Sequence, residues 1–247
     1  MPGQAFAWLP VGKWRRVSRL IVIGALPFST APAFADTAAT IEVKSDIRFR
    51  GRSLSGGNPV LQVDASIDSR TGIYGGGQII TTLAGTDRAG VLGGIGYLGY
   101  AARLNDRVTV DVGTTSYAYT RRYSGNRDDF YTEFYAGATV NQVSAYVHYT
   151  PNYFNQSVPV VYADLSIVQP IGSAFTLKAH AGLLTQTSGP ARLGGRRTRY
   201  DTRLALSRSI RTFEAELAWT FAGPDDAYFD DPWSGRSAVT IALSKHF

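Results

Sequence analysis

The chain has 247 residues, enough for one large or two small domains, and 44% of them are apolar, which excludes a disordered polymer. Cysteine is absent, so neither a disulfide framework nor a Cys-ligated metal centre is available. The formal net charge of +6 would suit an anionic partner, but most of it comes from one short N-terminal stretch.

That stretch has the three parts of a secretory signal. Lys13, Arg15, Arg16 and Arg19 form a basic region, and Leu20 to Phe28 form an apolar core too short to span a bilayer. Ala33-Phe34-Ala35 is an A-x-A cleavage site, which makes 1–35 a signal peptide and 36–247 the mature domain. Removing its four basic residues from the 25 leaves 21 against 19 acidic residues, a net charge of only +2. Nucleic-acid binding then loses its electrostatic support, and no nucleic-acid partner is expected.

From Thr40 onward the sequence alternates apolar and polar residues in segments of about ten. Ile41, Val43, Ile47 and Phe49 share one face of the first segment, opposite Glu42, Lys44, Asp46, Arg48 and Arg50. Later segments repeat the pattern: Leu61, Val63 and Ile67 oppose Gln62, Asp64 and Asp68, and Leu217 and Trp219 oppose Glu214 and Glu216. Twelve segments follow this period, at 40–50, 60–69, 72–84, 90–103, 107–120, 129–140, 143–153, 159–170, 174–186, 199–210, 213–222 and 237–247. The third and fourth are glycine-rich and alternate poorly, which leaves their facing open.

The connections alternate between tight and long. Ser69-Arg70-Thr71, Asn105-Asp106, Asn141-Gln142, Gly172-Ser173 and Arg211-Thr212 are tight, whereas RGRSLSGGNP, RRYSGNRDD and AGPDDAYFDDPWSGR are long. Ten-residue strands with loops sorted by length predict an all-β fold: a twelve-stranded antiparallel up-and-down transmembrane β-barrel of a Gram-negative outer membrane. Its apolar faces meet lipid, and its last strand, ending in Phe247, pairs back onto the first because an open edge in lipid strands backbone groups. The terminal aromatic also reads as a sorting signal for the outer-membrane barrel assembly machinery. A soluble sandwich or lipocalin-like barrel would instead turn the apolar face inward.

In the membrane reading, the polar faces line the lumen. The residues so placed are Glu42, Lys44, Asp46, Arg48, Arg50, Asp64, Asp68, Asp111, Glu133, Asp164, Lys178, Asp201, Arg203, Glu214 and Glu216, joined by His148 and His180. Twelve strands fall between filled small barrels and open porins. Two functions follow: a narrow channel for small polar solutes or ions, with a weak cation preference from the acidic excess, or a structural barrel closed by its own ion pairs. Arginines at 121, 122 and 127, and at 192, 196, 197 and 199, sit in or next to long loops, where lipopolysaccharide phosphates are one partner. Tyr117, Tyr119, Tyr123, Phe130, Tyr131, Tyr149, Tyr153 and Phe154 lie near strand ends and read as an interfacial aromatic belt. With three histidines and no G-x-S-x-G or H-E-x-x-H pattern, no enzyme and no cofactor are expected.

SDIRFRGRSLSGGNPVLQ resembles the opening motif of the TorF-like putative porins, a proteobacterial outer-membrane family. The residues that carry the likeness include Ser45, Asp46, Phe49, Arg50, Gly51, Pro59 and Gln62. The resemblance implies a barrel and, through the family's name, a channel. Within the motif, Asp46 is expected to pair with Arg48 or Arg50, and Gly51 to bend the chain into the first long loop.

Overall fold

The computed structural model describes residues 36–83, 90–120, 129–191, 196–223 and 237–247. The predicted signal peptide, 1–35, and the charged positions Arg121, Arg122, Arg127, Arg192, Asp225, Asp226, Asp230 and Asp231 lie outside the described residues, as does Tyr123.

Fourteen strands occur along the described chain. They are β1 (Asp36–Lys44), β2 (Arg48–Phe49), β3 (Arg52–Ser53), β4 (Val60–Asp68), β5 (Ile73–Thr82), β6 (Gly90–Arg103) and β7 (Val108–Tyr119). Then come β8 (Asp129–Val140), β9 (Val143–Thr150), β10 (Val160–Ile171), β11 (Phe175–Gln186), β12 (Thr198–Ile210), β13 (Phe213–Ala222) and β14 (Ser237–His246). All but β2 and β3 join one closed antiparallel barrel of twelve strands, each paired with its chain neighbours. Closure runs through β1, which pairs with β4 from Asp36–Asp68 to Lys44–Val60 and with β14 from Thr40–His246 to Lys44–Ala242. Phe247 adds one more rung, its amide donating to the carbonyl of Ala39 at 2.9 Å. No barrel edge is left open, which is the condition for a sheet to sit in hydrocarbon.

The faces are inverted relative to a soluble domain. Ile79 and Leu98 are 58% exposed and Ile241 62% exposed on the outer wall, whereas Glu133 is 1% and His148 2% exposed inside. An aliphatic exterior around an ionised interior suits a lipid surround and would aggregate in water. The tight turns, among them 141–142 and 211–212, share the rim that holds Asp36 and Phe247, and the long connections share the opposite rim.

Glycine explains why the third and fourth predicted segments alternate badly. A Cβ on Gly99 or Gly113 would strike the rings of Tyr74 and Tyr135, and one on Gly182 the ring of Tyr162. Glycines on one strand thus make room for tyrosines lying across the inner wall from its neighbours. In β6 the register also shifts, with Ile80 opposite Gly93 but Thr81 opposite Val91, so Leu92 is the extra residue of a bulge. That single insertion reverses the parity of GVLGGIGYLGY and hides its facing from a period-two reading.

The first predicted strand, 40–50, is corrected. The wall strand β1 starts earlier, at Asp36, and ends at Lys44. The Ser45 amide donates to the carbonyl of Ile241 at 2.9 Å, and then the chain leaves the wall and folds into the barrel. Ile47 and Phe49 are therefore not lipid-facing; each is 3% exposed, inside. Their alternation with Asp46, Arg48 and Arg50 belongs to the small inward hairpin of β2 and β3, whose local period is the same as that of a wall strand.

Candidate functional site

The barrel interior is the candidate site, and the inward hairpin shapes its half nearest the long connections. Asp46 is the knot of this segment. Its Oδ1 accepts hydrogen bonds from Ser53 Oγ at 2.5 Å and Ser55 Oγ at 2.7 Å, and its Oδ2 accepts from Arg48 Nε at 2.9 Å. Arg48 also donates through Nη1 to the carbonyl of Gly51 at 3.0 Å, and Leu54 returns its amide to the carbonyl of Ile47 at 2.8 Å. The motif SDIRFRGRSLSG is thus a self-satisfied polar clasp, in which a buried carboxylate collects the donors it needs.

The hairpin turns at Arg50 and Gly51, with φ of 47° and 78°. Positive φ at both central residues is the signature of a primed hairpin turn, and the second position suits glycine. Gly51 is also fixed by contact: a Cβ there would sit 2.7 Å from Ala222 Cβ and 3.0 Å from Asp201 Cβ. The tip presses on the wall of β12 and β13. Gly51 therefore turns the chain within the barrel and does not lead it out into an external loop.

Beside the hairpin lies a second inward segment between β9 and β10, with a 3-10 turn at Tyr153–Asn155. Tyr153 and Phe154 are 4% and 3% exposed and pack with Phe49, Tyr117, Tyr119 and Tyr131. Tyr117 stacks on Tyr131 at 4.7 Å, and Phe49 meets Tyr117 edge-on at 5.4 Å. This corrects the expected aromatic belt: among its described residues, only Phe130 (60% exposed) and Tyr149 (44%) face outward. The parity signal was available, since Tyr131 and Tyr135 share the face of Glu133, but the position near strand ends outweighed it.

Arg50 joins the aromatic layer to the ionic one. Its Nη2 donates to Glu133 Oε2 at 2.7 Å, and its guanidinium carbon lies 4.1 Å from the Tyr162 ring centre and 4.7 Å from that of Phe49. Burial is the largest single effect and lowers the pKa of the guanidinium; Glu133 together with Tyr153, Tyr131 and Tyr117 outweighs it and holds the group well above the ordinary arginine value.

Deeper in, the side chains form linked clusters. Asp111 accepts from Tyr74 at 2.7 Å and from Tyr146 at 3.0 Å, and Tyr74 also bonds the hydroxyl of Tyr135. His148 Nε2 lies 3.1 Å from Asp164. His180 lies between Ser166 Oγ at 2.9 Å and Asp201 Oδ1 at 3.2 Å, with Tyr162 donating to Asp201 at 3.0 Å. Lys178 bridges Glu214 at 2.7 Å and Glu216 at 2.9 Å, and Arg203 holds the other oxygen of Glu216. Glu42 pairs with Lys44 at 2.9 Å, and Lys44 also donates to Gln62 at 3.3 Å. Asp64 and Gln62 are 8% and 4% exposed on the same inner face of β4. Asp46, Arg48 and Arg50 lie inside the barrel too, but on the hairpin and not on the wall.

Sequence reasoning missed the inner tyrosines, Arg52 and Gln78. Ser166, His180 and Asp201 are in series, as in a hydrolytic triad, on wall strands whose backbones pair along β10, β11 and β12. Among the described residues no group of three or more His, Cys, Asp or Glu is placed to hold a metal ion.

The fold and interior together define a closed twelve-stranded barrel of porin-like architecture. The chain belongs to the family described as "Bacterial protein of unknown function (Gcw_chp)", whose model matches residues 29–241. No curated protein matches it in sequence. Among solved structures, a NanC porin is 12% identical with a TM-score of 0.58, over 84% of this chain and 98% of that one. A KdgM porin is 9% identical with a TM-score of 0.53, over 85% and 99%. A KdgM porin in complex with disordered oligogalacturonate is 8% identical with a TM-score of 0.51, over 87% and 99%.

Proposed function

We propose that this chain is a narrow porin-like channel of the outer membrane for small polar solutes or ions, its bore restricted by the inward segment 45–59. The observation that carries the reading is the inverted barrel, apolar outside and lined inside by charges of both signs and by hydroxyls. The porin architecture of the similar solved structures supports it, as does the resemblance of the opening motif to the TorF-like porins. Refolded protein in planar bilayers should give small, reproducible unitary steps with a weak cation preference, read from the reversal potential in a KCl gradient. Absence of any step would sink the channel and favour the second reading, a barrel closed by its own contacts. The buried pairs Arg48–Asp46, Arg50–Glu133 and Lys178–Glu214 speak for that alternative.

The same reading includes export, with cleavage before Asp36, lipopolysaccharide as the neighbour of the long connections, and Phe247 as the residue that the assembly machinery reads. Protein extracted from outer membranes should begin at Asp36. A chain lacking Phe247 should refold in detergent as before yet lose most of its folded yield in cells. Equal yield in cells would remove Phe247 from that role.

A further inference from the structure

The tip of the inward hairpin does not close completely against the wall. Between it and β12–β13 lies a small open cleft, at the end of the barrel that bears the long connections. Three guanidinium groups line it: Arg50 and Arg52 from the hairpin and Arg199 from the wall. Arg52 is anchored by a donor bond from Nη2 to the carbonyl of Gly223 at 3.3 Å. Asp201 also lines the cleft, but its oxygens already accept from Tyr162 and face His180.

Arg50 is the informative residue. Its side chain is 6% exposed, yet only Nη2 has a hydrogen-bond partner, Glu133. Nε and Nη1 are buried without one. The rings of Tyr162, Phe49 and Tyr153 attract the charge. A buried fork with one prong engaged and two donors unmet is complementary to an oxyanion, which takes two guanidinium N–H groups at once.

We propose that this cleft is a binding station for the oxyanion end of a small solute, a carboxylate or a phosphate, with Arg50 as its principal donor. Arg199 supplies a second positive charge from the opposite side. The station deepens the channel reading and rests on it for the route by which the solute arrives.

The test is calorimetric titration of the refolded barrel with sodium galacturonate, inorganic phosphate and uncharged galactose, alongside KCl conductance of the same preparation. Saturable binding of galacturonate or phosphate is expected, with none for galactose; whichever oxyanion binds more tightly identifies the source. Arg50→Gln should weaken binding at least tenfold, and Arg50→Lys less, because it keeps the charge and loses the fork. Arg199→Gln, which leaves the hairpin intact, should also weaken it and decides the matter if Arg50→Gln does not fold. Equal binding of galactose, or wild-type binding in both glutamine variants, overturns the station. Current without oxyanion binding overturns the station and leaves the channel, whereas binding without current does the reverse.

Discussion

Asp46→Ala is expected to raise unitary conductance several-fold while leaving the barrel wall folded. The carboxylate receives Ser53, Ser55 and Arg48, and the residue is 8% exposed. Removing it leaves Arg48 Nε and two buried hydroxyls without the carboxylate they donate to, and breaking such a buried pair costs about 3–5 kcal/mol. That cost falls on the clasp alone. The flanking wall strands keep their nine ladder pairs, Asp36–Asp68 through Lys44–Val60, whatever the hairpin does. The inward segment thus becomes a locally unfolding unit inside a stable barrel. Limited proteolysis should cut within 45–59 in the variant and not in the parent. Asp46→Asn, which keeps the shape but not the charge, should fall between the two. Conductance unchanged in Asp46→Ala, with cleavage appearing, would mean that the hairpin does not set the bore. If the parent gives no current at all and the variant does, the closed-barrel reading is the right one and this segment is its closure.

The wall of this barrel was legible because its periodicity has one cause. Each strand separates hydrocarbon from the interior, so a residue's parity fixes its side. On the wall strands Asp64, Asp111, Glu133, Asp164, Lys178 and Asp201 are each 8% exposed or less. The interior beyond the wall was not legible, because a period of two says nothing about what a strand separates. Ile47 and Phe49 alternate with charges as regularly as Ile41 and Val43 do, yet the latter are 42% and 43% exposed and the former are buried. What distinguishes the two stretches is nonlocal: an aspartate whose acceptors are filled by serines seven and nine residues on, and a glycine pressed against Ala222. The aromatic layer was misread for a related reason. Tyrosine near a strand end suits both an interface with lipid headgroups and a packed interior, and only the presence of the inward segments decides between them. Glycine carried usable information that composition alone did not reveal. Its positions against the rings of Tyr74, Tyr135 and Tyr162 mark where large side chains lie along the inner wall.

Lys178→Met should destabilise the barrel by about 3 kcal/mol or more, the range for removing one partner of a buried ion pair. Lys178 bridges Glu214 and Glu216, two carboxylates of one strand and one face, with its side chain 6% exposed. After the substitution Glu216 retains Arg203, but Glu214 loses the only cation bonded to it among the described residues. The double variant Lys178→Met/Glu214→Gln should therefore recover most of the loss, since removing both charges relieves the one left unpaired. Lys44→Met makes the internal comparison. Its pair with Glu42 is also inside, but the lysine side chain is 15% exposed and bridges one carboxylate where Lys178 bridges two, so its cost should be the smaller. Urea unfolding in detergent micelles, read by the heat-dependent mobility of the folded form, measures all three. The contrast reports on water in the lumen as well as on stability. Two small and equal costs would mean that solvent reaches Lys178 as freely as Lys44, so that the interior conducts along its whole wall. A large cost at Lys178 alone places the water path away from β11 and β13, toward the side where Lys44, Gln62 and Asp64 line β1 and β4.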